Sequence, residues 1–481
     1  MSKHSFPRII IIFLITFIFV CIFSQSDTLN AAPFTLPDPA KLTYDPLKFD
    51  PPQPFRFTLP NGFTVYIIEN HELPVVKITL IVKSGTMYDP PGKEGVSELT
   101  ASVMRTGGTL KMAPQALDET LDYYAATIEP GTGLEKTQWS VFSLKKDFEK
   151  VLGIFSQLFQ EPLFDESRLK LGKDLKSEEI RRLPDDPQNW AFKEFNRLLY
   201  QGNPRGRLPT LSTIKNIQKS DLIECHRRHY APENMIMALS GDIRREDAEK
   251  LIRKAFENWQ AKGQIVPVSV PFKSFSPGSY YLVKETPQTI IVSGQPAPKK
   301  GSDAYYAFDI IDFVLGSGGF RSRIFQEVRT NRGLAYSTGS FYRARREYGV
   351  FGAYAMTKSA SAPTTLQVIQ DIIRNVKQVG LSRKDIDGAK KAILNSFIFQ
   401  FNSPYQIVTQ QALLAFDKLP DDFLRQYRQR ITLLKPAEIN KTASNVLAPE
   451  DSITLILGNE AGYRQIKDKY PDFKRIMVNY D

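Results

Sequence analysis

The chain has 481 residues, of which 42% are hydrophobic and 24% are charged. This composition is typical of a globular protein and excludes collagen-like, coiled-coil and largely disordered chains. The net charge is +11, from 63 Lys and Arg residues against 52 Asp and Glu residues. Because this mild excess is scattered along the chain, we do not expect nucleic acid to be a partner.

The first 31 residues have the pattern of a secretory signal peptide. Lys3 and Arg8 precede an apolar run over residues 9–23, and small residues end the segment at Ala31. A basic start, a short apolar stretch and a small-residue exit are typical of export signals. We therefore predict a signal peptide over residues 1–31 and an exported protein, periplasmic if the source is bacterial. If the segment is not cleaved, it is the one expected contact with a membrane.

Cysteine usage indicates that the exported chain has no internal disulfide. The sequence has two cysteines, and Cys21 leaves with the signal peptide, so that Cys225 remains. A chain of this length can be stabilised by core packing alone. We expect Cys225 to be a buried structural thiol rather than a nucleophile, because its nearest His226 is only a neighbour in sequence.

Residues 32–54 are rich in proline and predict an extended N-terminal arm. Regular structure follows, where Asn61-Gly62 between two alternating apolar runs predicts a β-hairpin. Residues 76–82 predict a further strand, since every second residue is apolar. Helical periodicity then marks four segments, which are residues 95–105, 113–126, 146–159 and 166–182.

The second part of the chain repeats the first. The tripeptide Ala-Pro-Glu occurs at residues 231–233 and 448–450, and each copy leads through an apolar strand to a glycine. A duplicated α+β unit explains both copies. We predict an α+β fold of two homologous halves, each an antiparallel sheet with helices packed on it. The predicted boundaries are residues 55–262 for the first half, 263–279 for a linker and 280–481 for the second half.

Several ordered motifs resemble the pitrilysin/insulinase family of inverted zinc metallopeptidases. They are residues 85–95, 181–187 and 229–234 in the first half and residues 315–319, 322–325 and 329–336 in the second half. The resemblance extends over nearly the whole mature chain. It implies that the two halves close on a central chamber, and that the substrates are unstructured peptides small enough to enter it.

The motif that carries the chemistry of this family is lost here. The family motif H-x-x-E-H places two zinc-binding His one helical turn apart, and its Glu activates the metal-bound water. In the corresponding helix the ligand positions are Glu98 and Ser102, and the general-base position is Ala101. Glu179 corresponds to the family's distal Glu ligand, but one carboxylate does not make a zinc site. We therefore predict no catalytic residue, no metal site and no cofactor in this chain, which should be inactive as a peptidase alone.

Two other groups of residues leave metal binding open. His226 and His229 lie one helical turn apart with Glu224 nearby, although the matching helix of the family is structural. Glu98 and Glu179 could hold a hard cation weakly, although we expect both at a solvated wall. The sequence has no G-x-S-x-G elbow and no G-x-x-x-x-G-K-[ST] loop.

The second half keeps a motif of its own. Residues 325–336 resemble the family's arginine–tyrosine substrate motif, which the resemblance carries onto Arg329 and Tyr336. An Arg fork can bind a peptide carbonyl or carboxylate, and a Tyr hydroxyl can donate to the oxygen that becomes charged as an amide is attacked. The alternative is that Arg329 is a surface charge and Tyr336 an ordinary strand residue. Because the motif is complete beside a lost zinc motif, we interpret both residues as substrate-binding.

The resemblance also implies a division of labour. Some bacterial relatives consist of two chains, one with the zinc motif and one with the arginine–tyrosine pair, and this sequence is similar to the second kind. We expect a heterodimer in which this pseudoenzyme binds peptides, while a homologous partner subunit carries the zinc for proteolysis. The alternative is a non-catalytic protein, either a structural core subunit of a respiratory complex or a sheet-edge binder of extended peptides. A third hypothesis, an active peptidase with an unorthodox metal, is disfavoured because Ala101 removes the base.

Overall fold

The computed structural model describes residues 51–260 and 276–481, and the chain from Asp50 to Asp481 forms one compact unit. The predicted signal peptide, most of the Pro-rich arm and most of the predicted linker lie outside the described residues. Within those two described ranges, no helix is both long and apolar enough to cross a membrane.

The first half contains the strands β1 Phe55–Thr58, β2 Thr64–Glu69, β3 Val75–Val82, β4 Thr127–Thr132, β5 Thr137–Leu144 and β6 Met235–Gly241. They form one sheet in the order β1-β2-β6-β3-β5-β4. The predicted hairpin is confirmed: Thr58 pairs with Thr64 across a turn in which Gly62 has φ of 88°, a left-handed conformation that favours glycine. The alternating apolar residues of β3 are fully buried, and Thr79 and Ile81 on its opposite face are buried as well.

The helices of the first half are α1 Val96–Thr106, α2 Pro114–Tyr123, α3 Phe148–Gln160, α4 Glu166–Arg182, α5 Pro187–Leu199, α6 Leu211–Asn216, α7 Lys219–His229 and α8 Arg245–Phe256. Except for α5, these helices contribute apolar side chains to one core with the sheet. The rings of Trp139 and Phe159 contact edge to face at its centre, with centroids 4.9 Å apart. This core fixes α1 against the sheet and thereby places the lost zinc motif.

The second half contains β7 Gly278–Val283, β8 Thr289–Ala297, β9 Ala335–Ala344, β10 Gly349–Thr357, β11 Ile453–Gly458 and β12 Lys474–Ile476. Its α-helices are α9 Asp303–Asp312, α10 Ala362–Val379, α11 Arg383–Phe397, α12 Pro404–Phe416, α13 Phe423–Leu433, α14 Pro436–Val446 and α15 Glu460–Lys469. Two π-helical segments, Phe313–Ser317 and Phe325–Asn331, lie between α9 and β9.

The two sheets have the same topology over their five shared positions, because the second follows the order β12-β7-β11-β8-β10-β9. In each half the strand after the Ala-Pro-Glu tripeptide returns between two earlier strands, parallel to one of them and antiparallel to the other. The predicted α+β fold of two homologous halves is thus confirmed. Most ladders are antiparallel as expected, and the parallel pairing of β2 with β6 and of β7 with β11 makes each sheet mixed.

Each half also contributes one helix to the sheet of the other half. Helix α5 packs on the second sheet, where Phe195 lies so close to Gly294 that a Cβ there would be 2.6 Å from the ring. Helix α12 packs on the first sheet, where Val408 contacts the cluster around Tyr66 and Ile81. Because both exchanged helices bury apolar surface, the hydrophobic effect stabilises the association of the halves.

Candidate functional site

Helix α1 keeps a well-formed N-terminus even though its zinc motif is lost. The buried carboxylate of Asp89 accepts hydrogen bonds from the backbone N–H groups of Gly95 (2.7 Å) and Ser97 (3.0 Å) and from the Ser97 hydroxyl (2.5 Å). These bonds satisfy donors that the first turn of a helix leaves free. Burial raises the pKa of Asp89 to about 6, although these hydrogen bonds oppose the shift. The motif at residues 85–95 therefore serves to begin the helix.

The amino group of Lys176 lies between the two carboxylates that the sequence placed at the former metal site. Lys176 Nζ is 2.7 Å from Glu98 Oε2 and 2.8 Å from Glu179 Oε2. Its side chain is only 10% exposed, whereas those of Glu98 and Glu179 are 39% and 51% exposed. A single ammonium thus bridges helices α1 and α4, where the resemblance expects a zinc ligand set.

The charges at this bridge stabilise one another. Burial is the largest influence on Lys176 and disfavours its charged form, but the two carboxylates outweigh it and raise the pKa of Lys176 above its ordinary value. Burial is also the largest influence on Glu179, yet Lys176 and Lys193 hold the pKa of this carboxyl below its usual range. Lys176 and Glu179 are therefore both charged at neutral pH.

The residues of this wall do not fit a zinc ion. Ala101 is buried and carries no group that could take a proton from water, and Ser102 stands at the second ligand position. Among the residues that the structure describes, no group of three or more His, Cys, Asp or Glu side chains could hold a metal ion. With Lys176 paired to Glu98 and Glu179, the wall can position charge but cannot activate water.

His226 and His229, the two candidate metal ligands of α7, lie in other surroundings. His226 Nε2 lies 2.7 Å from the carbonyl oxygen of Phe159, and its ring stacks on Tyr230 at 5.3 Å. His229 is 8% exposed, and burial lowers its pKa to about 4, so it is neutral at pH 7. Cys225 is fully buried with a pKa raised to about 12 by burial, which suits the structural thiol that we expected.

Arg329 lies in the π-helical segment Phe325–Asn331, which the buried side chains of Ile324 and Val328 anchor to the core. Two residues after the segment lies Gly333, whose φ of 61° is left-handed and whose N–H donates to the carbonyl of Arg329 at 3.1 Å. This turn reverses the chain into β9. It explains why a tyrosine seven residues after the arginine in sequence can lie beside it.

Tyr336 occupies an irregularity of strand β9. Met356 pairs with Ser337 and Thr357 pairs with Ala335, so Tyr336 is the extra residue of a β-bulge. The hydroxyl of Thr357 donates to the carbonyl of Leu334 at 2.6 Å and fixes the chain just before the bulge. Bulges commonly redirect a side chain beside a functional site. Here the side chain of Tyr336 is 74% exposed.

The predicted pair is in contact. The guanidinium carbon of Arg329 is 5.4 Å from the ring centroid of Tyr336 and 5.0 Å from that of Phe325. Within residues 51–260 and 276–481, no carboxylate forms an ion pair with Arg329. Its N–H groups remain available to a peptide carbonyl or carboxylate, and the Tyr336 hydroxyl is exposed beside them. The structure therefore brings Arg329 and Tyr336 together, and their role as substrate ligands stays a prediction.

The sequence analysis missed three residues that define these two surfaces. Lys176 precedes Glu179 by one helical turn, which is a detectable signal, although its contact with Glu98 joins residues 78 apart in sequence. Phe320 and Phe325 extend the surface around Arg329, and no sequence pattern predicted that Phe320 would be exposed.

Comparison with known proteins assigns the family. Residues 64–211 match the model of insulinase, peptidase family M16, and residues 216–393 match the model described as the peptidase M16 inactive domain. The chain belongs to the M16 (insulinase) family of metallopeptidases. It is a member that lacks the family's zinc motif.

Two relatives illustrate the range of similarity. The uncharacterized zinc protease YmxG of Bacillus subtilis is 23% identical over 407 residues, which cover 83% of this chain and 97% of that protein. The non-peptidase homolog YmxG of Helicobacter pylori is 24% identical over 331 residues, which cover 68% of this chain and 76% of that protein. The chain is thus similar both to a relative described as a zinc protease and to one described as a non-peptidase homolog.

Solved structures have the same fold. A peptidase M16 inactive domain from Pseudomonas fluorescens has a TM-score of 0.77 at 23% identity, covering 85% of this chain and 98% of that chain. The first half of the periplasmic protease PqqL from Escherichia coli has a TM-score of 0.72 at 15% identity, covering 89% of this chain and 98% of that chain. These likenesses confirm the predicted fold class.

Proposed function

We propose that this chain is the exported, substrate-binding subunit of a two-chain zinc metallopeptidase. A homologous partner subunit supplies the zinc and the general base, and this chain supplies Arg329 and Tyr336 to unstructured peptide substrates. The observation that carries the proposal is the contrast between the two walls. In the former metal wall Lys176 is paired with Glu98 and Glu179, whereas Arg329 is exposed beside Tyr336 without an ion pair to any described residue.

The chemistry of the pair suits a division of labour. Arg329 can bind the carbonyl or carboxylate of a peptide through its planar fork, and this needs no metal in the same chain. The Tyr336 hydroxyl can donate a hydrogen bond to the oxygen that gains charge when the peptide amide is attacked, and the partner's zinc would supply the activation of water. Neither residue can replace the missing base at Ala101, so turnover requires the partner.

Export is part of the proposal. The basic and apolar pattern of the first 31 residues supports it. The structural similarity to the first half of PqqL, which is described as a periplasmic protease, agrees with a periplasmic location. Mass spectrometry of the protein from its native source tests this step, because we expect a mature N-terminus near residue 32.

The decisive experiment is a pull-down of the tagged mature chain from its native envelope extract. We expect a homologue with H-x-x-E-H to be recovered at near-stoichiometric amounts. The purified pair should cleave an unstructured peptide and lose this activity to a zinc chelator, while this chain alone should not cleave it. If the chain is recovered alone or in a larger assembly without such a homologue, the proposal is wrong and a non-catalytic binding or scaffolding role takes its place.

Two matched variants test whether turnover of the recovered complex depends on Arg329. Arg329→Gln removes the exposed guanidinium of the pair, and Arg321→Gln removes an exposed guanidinium from the nearby turn Gly319–Arg321. We expect both variants to recover the partner and only Arg329→Gln to lose turnover, by roughly tenfold or more for a lost charge-assisted hydrogen bond. Equal turnover in the two variants would contradict the role of Arg329.

A further inference from the structure

A cavity of about 740 Å³ lies between helix α7 and the chain that leads into α1. Its apolar lining comes from Tyr88, Pro90 and Val96 on one side and from Cys225 and His229 of α7 on the other. The rings of Tyr88 and His229 contact each other, with centroids 5.6 Å apart and planes at 37°. Cavities of this size with mostly apolar walls are typical binding sites for small organic molecules.

Contacts outside the cavity fix the spacing of its two walls. Lys93 Nζ donates to the carbonyl of Asn216 at 2.5 Å and pairs with Asp221 at 2.6 Å, which ties the chain before α1 to α7. Gly92 and Gly95 have φ of 80° and 103°, left-handed values that favour glycine and turn this chain into the helix. The cavity therefore does not need a ligand in order to form.

The titratable side chains inside the cavity are uncharged at neutral pH. Burial lowers the pKa of His229 to about 4, although a hydrogen bond with the backbone of Lys83 opposes the shift. Burial also raises the pKa of Cys225 to about 12 and raises the pKa of Tyr88 above its ordinary value. A charge placed among these groups would lose its hydration without gaining a partner. The interior thus suits an uncharged, apolar group.

The rim of the cavity carries three cations and two carboxylates, which leave one positive charge in excess. Lys93 is paired with Asp221, and the carboxylate of Glu224 is shared by Arg227 at 2.7 Å and Arg228 at 2.5 Å. One carboxylate cannot engage all the N–H groups of two guanidinium groups. Since both carboxylates are already paired with cations, the rim attracts an anion rather than a metal ion.

We propose that this cavity binds a small organic anion, whose flat aromatic ring system lies against Tyr88 and His229 and whose negative charge lies at the rim beside Arg227. The ring system gains from burial and from contact with the two rings. The planar fork of a guanidinium suits a carboxylate or sulfonate group. The inference goes beyond the proposed function and does not depend on it, because the cavity includes neither Arg329 nor Tyr336.

The test uses the mature chain alone and two fluorescent probes with the same rings. Anilinonaphthalene sulfonate carries one negative charge, and phenylnaphthylamine carries none. We expect both to bind at one saturable site per chain, the anionic probe about fivefold more tightly, as one exposed ion pair allows. Tyr88→Ala should weaken both probes about tenfold, because a wall of the cavity is removed. The control Tyr124→Ala changes a half-buried tyrosine outside the cavity and should leave both affinities unchanged.

A second pair of variants tests the charge at the rim. Arg227→Gln should bring the two affinities within about twofold of each other, because the excess positive charge is lost. Arg253→Gln is the control, since Arg253 is similarly exposed and paired with a glutamate in α8, and it should keep the preference. Arg227 is an exposed residue, so this pair tests the site even if Tyr88→Ala does not fold.

Two results would overturn the proposal. If neither probe saturates a single site, or if Tyr88→Ala and Tyr124→Ala bind the probes alike, the cavity is not a binding site. If Arg227→Gln and Arg253→Gln show the same preference, the ligand is not recognised by its negative charge. Circular dichroism confirms that each variant is folded. A failed pull-down leaves these measurements unchanged, so the two proposals fail separately.

Discussion

The segments that follow the equivalent strands β3 and β8 differ in the regularity of the backbone and in the pairing of their charges. In the first half, β3 leads to the regular helix α1, whose Glu98 is held by an ammonium group. In the second half, β8 leads to α9 and then to two π-helical segments and a bulged strand, with Arg329 and Tyr336 exposed. One duplicated unit thus gives a regular first wall, in which Glu98, Lys176 and Glu179 are paired, and an irregular second wall, in which Arg329 has no ion pair with a described residue.

This difference supports the proposal that the second wall, and not the first, binds substrate. A regular helix with satisfied charges is what remains when a metal site is lost and its carboxylates must be neutralised. Backbone irregularities cost hydrogen bonds and are found most often where they orient functional side chains. The contrast therefore favours binding at the second wall and a structural role for the first.

The largest expected effect comes from Tyr336→Phe in the assembled complex. If the hydroxyl donates to the developing oxyanion, its removal should lower turnover by roughly a hundredfold while leaving assembly unchanged. Tyr123→Phe is a matched control, since Tyr123 is 83% exposed in the first half and should tolerate the change. Unchanged turnover of Tyr336→Phe in a normally assembled complex would remove the tyrosine from the mechanism.

A glycine behind the second wall tests whether its irregular geometry is held by packing. A Cβ at Gly316, in the π-helical segment Phe313–Ser317, would lie 2.2 Å from the backbone nitrogen of Ser340 in β9. We expect Gly316→Ala to lower the free energy of unfolding by about 2–3 kcal/mol, measured by urea denaturation. Gly153→Ala in α3 is the control, because its Cβ would meet nothing within 4 Å and helix propensity favours alanine. Equal stability of the two variants would show that β9 is not held this way.

The bridge of the first wall is tested by Lys176→Met, which removes the charge and keeps most of the side-chain volume. Glu98 would then lose the ammonium that it contacts, and Glu179 would keep only Lys193 at 3.4 Å. We expect a loss of about 1–2 kcal/mol of unfolding free energy, between the values for exposed and buried ion pairs. Lys254→Met is the control, since Lys254 and Glu149 are 74% and 62% exposed and should contribute little. If both variants lose the same stability, Lys176 has no special place in the wall.

The fold was predictable because it depends on patterns that are local or repeated. The two Ala-Pro-Glu tripeptides revealed the duplication, and the apolar stripe of α1 predicted its helix. The exchange of α5 and α12 between the halves was not predicted. An amphipathic pattern shows that one face is buried but does not show which sheet covers it.

The candidate site was predictable only as a list of residues. The motif supplied Arg329 and Tyr336, and the lost ligands at Glu98 and Ser102 were visible in the sequence. The bulge at Tyr336 was not visible, because it depends on pairing with β10, which lies later in the chain. Tertiary contacts of this kind determine backbone irregularities, and they leave no periodic signal.

The last prediction concerns pH and Asp312, which ends α9 behind the second wall and accepts a hydrogen bond from the Ser340 hydroxyl at 2.5 Å. Burial raises the pKa of Asp312 to about 7, against the hydrogen bonds of Ser340 and Ser317 and with a smaller contribution from Asp309. Since this pKa is higher in the folded state, its contribution to stability is complete below about pH 4 and is lost as the pH rises toward 7. One linked proton gives a slope of at most about 1.4 kcal/mol per pH unit in this range.

Asp312→Asn should remove this part of the pH dependence, because the amide keeps the shape and cannot titrate. Urea denaturation at pH 5 and pH 8 measures it, and we expect the variant to lose less stability between the two than the unmodified chain. Asp468→Asn, at an exposed position of α15, should leave the pH dependence unchanged. If Asp312→Asn behaves like Asp468→Asn, the carboxyl behind the second wall is ionised when folded. The two walls would then differ in backbone geometry and in Arg329, but not in the protonation of the groups that support them.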